Sequence, residues 1–246
     1  MKLTDFNTLT FDCYGTLIDW ETGILTALRP LLGRLKTPLT ENQVLQAHAR
    51  HETSQEAYTP AKKYREVLSI VYKRLAEEWQ APFTHEECVA YGKSVQNWPA
   101  FDDSPAALQY LKKHYKLVIL SNVDNESFTY SNAKLLVQFD AIITAEDVGS
   151  YKPSPRNFEY MLAQLADRGI KKEQILHTAE SLYHDHKPAN AFGLASCWIY
   201  RRHSRPGFGA TMNSGELPAV NFRFNSLAEL AQAHQEAYAF KPHRTP

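Results

Sequence analysis

Cysteine is scarce in this chain and unpaired. Cys13, Cys88 and Cys197 are the only three in 246 residues, and no two of them form a C-x-x-C pair. An odd number so widely scattered excludes a disulfide-stapled secreted scaffold and predicts a reducing compartment. An excess of charge is lacking too. Twenty-seven Lys and Arg balance twenty-seven Asp and Glu, so no overall field draws the protein to nucleic acid or to an anionic membrane. No apolar run approaches the roughly 18 residues that span a bilayer, and the first residues, "MKLTDFNTL", have no signal-peptide apolar region. Internal repeats and low-complexity tracts are missing as well. These absences leave a cytoplasmic protein with a small-molecule ligand, and neither nucleic acid nor membrane as partner.

What is present is a set of short apolar runs: "TLTF" at 8–11, "LVIL" at 117–120, "AIIT" at 141–144, "ILHTA" at 175–179, "CWIY" at 197–200 and "FRF" at 222–224. Helical patterns lie between most of them. "SPAALQYLKKHY" opens on Ser104-Pro105, and "SPRNFEYMLAQLADRG" opens on Ser154-Pro155 and closes on Gly169, the pairing of an N-cap with proline at the first helical position. Strand and helix in alternation predict an α/β fold, a Rossmann-like, doubly wound and mainly parallel sheet with helices on both faces. From about Asp19 to Trp98 the rhythm breaks. Only helix-like stretches such as "ENQVLQAHARHE" occur there, punctuated by Pro38, Pro60 and Pro82. We therefore expect a core domain over residues 1–17 and 99–246 and an inserted helical cap domain over 18–98. Residues 201–219 read as a long irregular loop.

In open α/β sheets ligands bind beyond the carboxyl ends of the strands. Four of the apolar runs are followed there by groups suited to catalysis. Asp12 and Thr16 follow the first, Ser121 and Asn122 follow "LVIL", the loop after "AIIT" carries Lys152, and Glu180, Ser181 and Asp185 follow "ILHTA". Any one of them alone is an ordinary strand-end polar residue. Together, "FDCYGTL", "LSN", "YKPSPRNF" and Asp185 ahead of "ANAFGLASCWIYRR" make the chain resemble the haloacid dehalogenase-like (HAD) hydrolase superfamily over nearly its whole length.

The resemblance implies Asp12 as nucleophile. Phosphatases of the superfamily carry a second Asp two residues later, which protonates a departing alkoxide. Here that place holds Tyr14, a phenol with a pKa of about 10. D-x-Y-G-T-L resembles the type II L-2-haloacid dehalogenases, whose halide leaving group needs no proton. By that resemblance Asp12 displaces halide from a 2-haloalkanoic acid and forms an ester that water hydrolyses. Thr16 holds Asp12, Lys152 keeps it ionised, and Asp185 orients the water. Tyr14, Ser121, Asn122, Glu180 and His184 contribute to substrate binding, with Arg50 as the candidate halide cradle. No cofactor is expected, and a homodimer is implied.

The chain departs from that branch in several places. The usual S-x-N-x-x-D of the fourth motif reads Glu180, Leu182 and Asp185 here, and Phe158 replaces a Tyr. The histidines of "HDH", 184–186, and "HARH", 48–51, offer a base near neutral pH, pocket residues or plain loop positions, and His184, Asp185 and His186 could also form part of a metal site, though a lone H-x-H has no third and fourth ligand in view. Trp20, Tyr64 and Trp98 either wall a pocket or glue cap to core. Two rivals stand beside the dehalogenase reading. One is a phosphatase holding Mg²⁺ with Glu180 and Asp185, and the other is a protein that binds a small acid without turning it over.

Overall fold

The computed structural model describes residues 1–239. Strands β1 (Thr8–Phe11), β2 (Lys116–Ser121), β3 (Ala141–Thr144), β4 (Ile175–Ala179), β5 (Ala195–Ile199) and β6 (Phe222–Phe224) form one parallel sheet in the order β3-β2-β1-β4-β5-β6. Each lies where its apolar run predicts, with ends shifted by a residue or two. Strands β1 and β4 are buried along their whole length. Both carry buried polar residues among the apolar ones, Thr8 and Thr10 in β1 and His177 and Thr178 in β4, and were legible as short β-branched and apolar stretches bounded by turn residues.

Helices α1 (Trp20–Leu32), α2 (Glu41–Tyr58), α3 (Tyr64–Glu78) and α4 (His85–Gly92) occupy the stretch between β1 and β2, followed by a 3₁₀ turn at Lys93–Asn97 and by α5 (Ser104–Leu111). Helices α6 (Asn125–Leu135), α7 (Ala145–Val148), α8 (Pro155–Asp167), α9 (Lys187–Ala191) and α10 (Leu227–Ala239) alternate with the later strands. Capping boxes start two of the inserted helices, Thr40 with Gln43 at α2 and Thr84 with Glu87 at α4. Helix α8 begins after Ser154 as the Ser-Pro pattern predicts. Helix α5 does not. It starts at Ser104 itself, with Asp103 at the cap position, because the Ser104 hydroxyl donates instead to the Leu17 carbonyl at 2.9 Å.

The chain moves outward from β1 through β2 to β3, then crosses to β4 on the other side of β1 and continues to β5 and β6. That reversal opens a crevice beyond the carboxyl end of β1, flanked by β2 and β4, where doubly wound sheets bind ligands. Asp12 is the first residue past β1. The helical stretch leaves and rejoins the sheet side by side. Ile18 forms an antiparallel bridge with Ala100, Asp19 N donates to Pro99 O at 2.8 Å, and Phe101 N donates to Leu17 O at 3.1 Å.

One apolar cluster runs without a break from Phe11 and Ile119 of the sheet through Leu17 and Ile18 to Ile24, Leu28, Leu68 and Leu75 of α1 and α3. Cys13, Cys88 and Cys197 are buried and free. Among the described residues no helix is long and apolar enough to cross a membrane. Helix α1 meets Trp98 through Gly23, where an added Cβ would lie 2.3 Å from the indole ring. Gly23→Ala should therefore destabilise the protein by about 1–3 kcal/mol through overpacking. A lowered urea midpoint with an unchanged m-value checks this, and an unshifted midpoint would contradict the close contact.

Candidate active site

The pairing of β1 with β4 extends one residue beyond the strand, as Asp12 N donates to Thr178 O at 3.2 Å, so the backbone under the Asp12 carboxylate is fixed. The chain then turns at Gly15, whose φ of +89° is open to glycine and whose N donates to Ile18 O at 2.8 Å. The turn brings Thr16 over Asp12. Thr16 Oγ1 accepts from Glu180 N at 2.9 Å, so its proton is directed to Asp12 Oδ2 at 2.7 Å.

Lys152, in the loop between α7 and α8, is 2% exposed. Its Nζ donates to Asp12 Oδ1 at 2.9 Å, Asp185 Oδ1 at 2.7 Å and the Leu120 carbonyl at 2.9 Å. An ammonium has three donors, and all three are engaged. Asn122 holds the lysine from behind, accepting from Lys152 N at 2.7 Å and donating to Lys152 O at 3.0 Å.

Two buried carboxylates thus share one cation. Burial opposes ionisation of Asp185, but Lys152 and His177 outweigh it and hold that carboxyl well below the usual range. At Asp12 burial wins and raises the pKa, with Lys152 pulling it back and the Asp185 charge adding to the rise. Burial likewise works against the Lys152 ammonium, yet Asp12 and Asp185 push it up to about 12. The cation is permanent, and of the two acids Asp12 is the less stabilised as an anion, which is the state of a usable nucleophile.

Above these groups lies a cavity of about 30 Å³, room for a water or two. Asp12, Lys152, Asp185, Asn122, Tyr14 and His184 line it. Asp185 leaves Oδ2 buried without a hydrogen-bond partner among the described residues. His184 bonds Ser181 Oγ through Nδ1 at 3.1 Å and leaves Nε2 buried and unpaired. Burial lowers its pKa to about 4, so the ring is neutral at pH 7. Tyr14 sits in the wall with its hydroxyl bonded to Ser131 Oγ at 2.9 Å.

Three expected residues stand elsewhere. Arg50 is exposed and pairs with Glu78 on the outer side of α2 at 3.0 Å. The helical period explains this correction, since the buried face of that helix runs through Val44, Leu45, His48, Glu52, Gln55 and Glu56 and leaves Arg50 outside it. Glu180 gives its backbone N to Thr16, but its carboxyl lines a neighbouring cavity of about 60 Å³ with Glu21, Arg201 and Arg202. Burial, with Glu21 and Asp12 nearby, raises its pKa to about 8. The 201–219 loop closes that second cavity, tied down by Arg202 to Glu21 and by Ala210 N to Glu21 Oε1 at 3.1 Å. Ser121 is buried at the end of β2, outside the cavity lining, and its Oγ has no hydrogen-bond partner among the described residues.

His177, Glu52 and Glu56 come in without having been singled out in the sequence, beside aromatic residues that were. His177, inside β4, bonds Asp185 Oδ1 through Nε2 at 3.0 Å and Thr10 Oγ1 through Nδ1 at 2.9 Å. Phe158 packs edge-on against that imidazole, with ring centroids 5.2 Å apart. Glu52 and Glu56 of α2 reach the cavity from above. The only advance signal was their i, i+4, i+8 spacing from His48. Trp20 and Tyr64 wall the cavity, whereas Trp98 packs behind Tyr14 and Tyr64.

Magnesium needs hard anionic oxygens converging in octahedral geometry. Four residues before Asp185 stands Ser181, which bonds Thr211 Oγ1 at 2.9 Å, and the Glu180 carboxyl lines the other cavity. Lys152 takes one oxygen each of Asp12 and Asp185. The residues present do not assemble that ligand set, and among the described residues no group of three or more His, Cys, Asp or Glu is placed to hold a metal ion.

Residues 6–190 match the family described as haloacid dehalogenase-like hydrolase. The chain is 25% identical over 199 residues to the HAD-hydrolase YfnB of Bacillus subtilis (strain 168), a match covering 79% of this chain and 84% of that protein. It is 32% identical over 107 residues to an (S)-2-haloacid dehalogenase of Pseudomonas putida, over 43% of this chain and 45% of the other. The structure of the L-2-haloacid dehalogenase from Xanthobacter autotrophicus with chloropropionic acid covalently bound superposes with a TM-score of 0.75. That match is 18% identical and covers 94% of this chain and 98% of that one, a likeness of fold.

Removing the shared cation should expose how much depends on it. Lys152→Met leaves two buried carboxylates unpaired and should cost about 3–5 kcal/mol at pH 7. Unpaired, they have folded pKa values above the unfolded ones, so the variant regains stability as pH falls. In the wild type the depressed Asp185 acts oppositely. Its contribution is present above the unfolded value of about 3.9 and is lost as pH falls through the folded value. Urea midpoints at pH 7 and 5.5 check this, and an equal deficit at both would contradict the pairing.

Proposed function

Since this chain belongs to the haloacid dehalogenase-like hydrolases, we propose that it works as a 2-haloacid dehalogenase does, displacing halide from a small 2-haloalkanoic acid through an ester on Asp12. The observation that carries this reading is the pair of neighbours at the first motif. Asp12 is buried and held at both oxygens, by Thr16 and Lys152. Tyr14, two residues on, has its hydroxyl turned to Ser131, and burial raises its pKa well above that of a free phenol. No acid stands there to protonate an alkoxide, and a halide leaves without one.

Asp12 attacks C2, the carbon–halogen bond breaks, and the halide departs with its electron pair. Lys152 and Thr16 keep the nucleophile oriented in a site that holds little water, which a weakly nucleophilic carboxylate requires. Water then adds to the Asp12 carbonyl carbon of the ester. Asp185 Oδ2 accepts a hydrogen bond from that water, and the unpaired Nε2 of neutral His184 is the second group free to bond it. Collapse returns the Asp12 carboxylate and releases a 2-hydroxy acid and one proton.

Halide release from L-2-chloropropionate should persist in EDTA and fall by about 10⁴-fold or more in Asp12→Asn. A single turnover in H₂¹⁸O should place ¹⁸O in the Asp12 carboxylate, read by mass spectrometry of the peptide. Phosphate-ester hydrolysis that vanishes with EDTA, in the absence of any halide release, would replace this reading with the phosphatase one. Consumption of neither would favour a small-acid binder.

A further inference from the structure

The face that α2 presents to the cavity is acidic. Glu52 and Glu56, one turn apart, are both buried and both line the space that contains Asp12, Asp185 and Lys152. Four carboxyl groups surround one ammonium, and that ammonium is fully engaged by Asp12, Asp185 and Leu120. Among the described residues no arginine lines the cavity.

The two glutamates are not equally provided for. Tyr64 donates to Glu52 Oε1 at 2.7 Å. Among the described residues Glu56 has only Asn122 Nδ2, at 3.5 Å from Oε2, and that amide already donates to Lys152 O at 3.0 Å. Burial, reinforced by Glu52 and opposed by Lys152, raises the Glu56 pKa well above that of an exposed glutamate. In the same cavity Asp185 Oδ2 accepts from nothing among the described residues. Buried acceptors left without donors are rare and mark where something else binds. The cavity therefore has carboxyl oxygens in surplus over fixed donors, and its one ammonium is already fully engaged.

A plain 2-haloalkanoate supplies the reverse. It brings in a carboxylate and releases a halide, adding anions and no donor. Resting on the Asp12 hydrolase reading, we propose that the substrate of this site carries an ammonium group with Glu56 as its counter-ion, an amino-bearing haloacid rather than a plain one. The ammonium brings three N–H donors to a wall of acceptors. Its charge offsets the substrate's own carboxylate, so the ligand enters as a zwitterion without net charge. Glu56 releases its proton to solvent as the ion pair forms, and no covalent step beyond those already described is needed.

The test compares 4-amino-2-chlorobutanoate with 2-chloropentanoate, which differ by an ammonium in place of a methyl. Binding of each to the full-length Asp12→Asn protein is measured by calorimetry, with and without Glu56→Gln. The ammonium compound should bind about tenfold tighter or more, the order expected for one hydrogen bond to a buried charge, and the margin should disappear in Glu56→Gln. Equal affinities, tighter binding of the methyl compound, or binding of neither would overturn the proposal. A margin that survives Glu56→Gln would overturn the role given to Glu56. The margin in the protein with Glu56 intact is informative whether or not that second variant folds. Halide release by the wild-type protein is scored separately. A margin without release would keep the ammonium assignment and remove the dehalogenase reading, while release from 2-chloropentanoate with no margin would do the opposite.

Discussion

One nitrogen atom organises this site. Lys152 Nζ joins Asp12 beyond β1, Asp185 beyond β4 and the Leu120 carbonyl of β2, so three neighbouring strands converge on a single ammonium. Burying three charges is tolerable because each has its partner, and removing any one leaves the others uncompensated in a poor solvent for ions. The surrounding residues keep that arrangement in place. Asn122 grips the Lys152 backbone at both its N and its O, His177 steadies Asp185, and Phe158 backs His177. Thr16 can donate to Asp12 because the Glu180 backbone supplies the hydrogen bond its own oxygen accepts.

From that constraint the carboxyls fall into different states, although all are buried. Asp185 sits closest to Lys152 and is the most firmly ionised, Asp12 less so, while burial raises Glu52 to about 7 and lifts Glu56 well above its ordinary value. Contact with the cation and depth of burial thus sort chemically similar groups into a fixed anion, a nucleophile and acids that hold their protons more tightly.

Several of the groups legible in the sequence share a kind of place. Asp12, Thr16 and Asn122 lie within a few residues of strand ends, where the backbone direction nearly determines where the next side chain goes. Ser121, the last residue of β2, was legible as a strand-end residue but its side chain lies outside the cavity lining. Lys152 and Asp185 lie farther on, past α7 and within the turn after β4, and were legible from their motifs rather than from strand geometry. Arg50 and Glu180 were misplaced because the direction of their side chains depends on how α2 docks and how the 201–219 loop folds, and neither has a local signature. His177 was hidden inside an apolar run, where a histidine looks like a core residue until its partner, eight residues on, folds back to it. Glu52 and Glu56 resembled the solvated face of a charged helix. What makes them buried is the packing of α2 against the rest of the chain, a tertiary fact.

The helices from α1 to α4 begin and end at one point, since Ile18 and Ala100 are bridged to each other. A segment whose two ends meet behaves topologically as a loop of negligible span, however many residues it contains. A change in the length of that segment therefore leaves the register of every strand untouched, and the Asp12–Lys152 pair is held by the sheet and its loops alone, independently of the helices that face it. The site is built as two separable parts, a fixed pair of charges and a wall of inserted helices set over it.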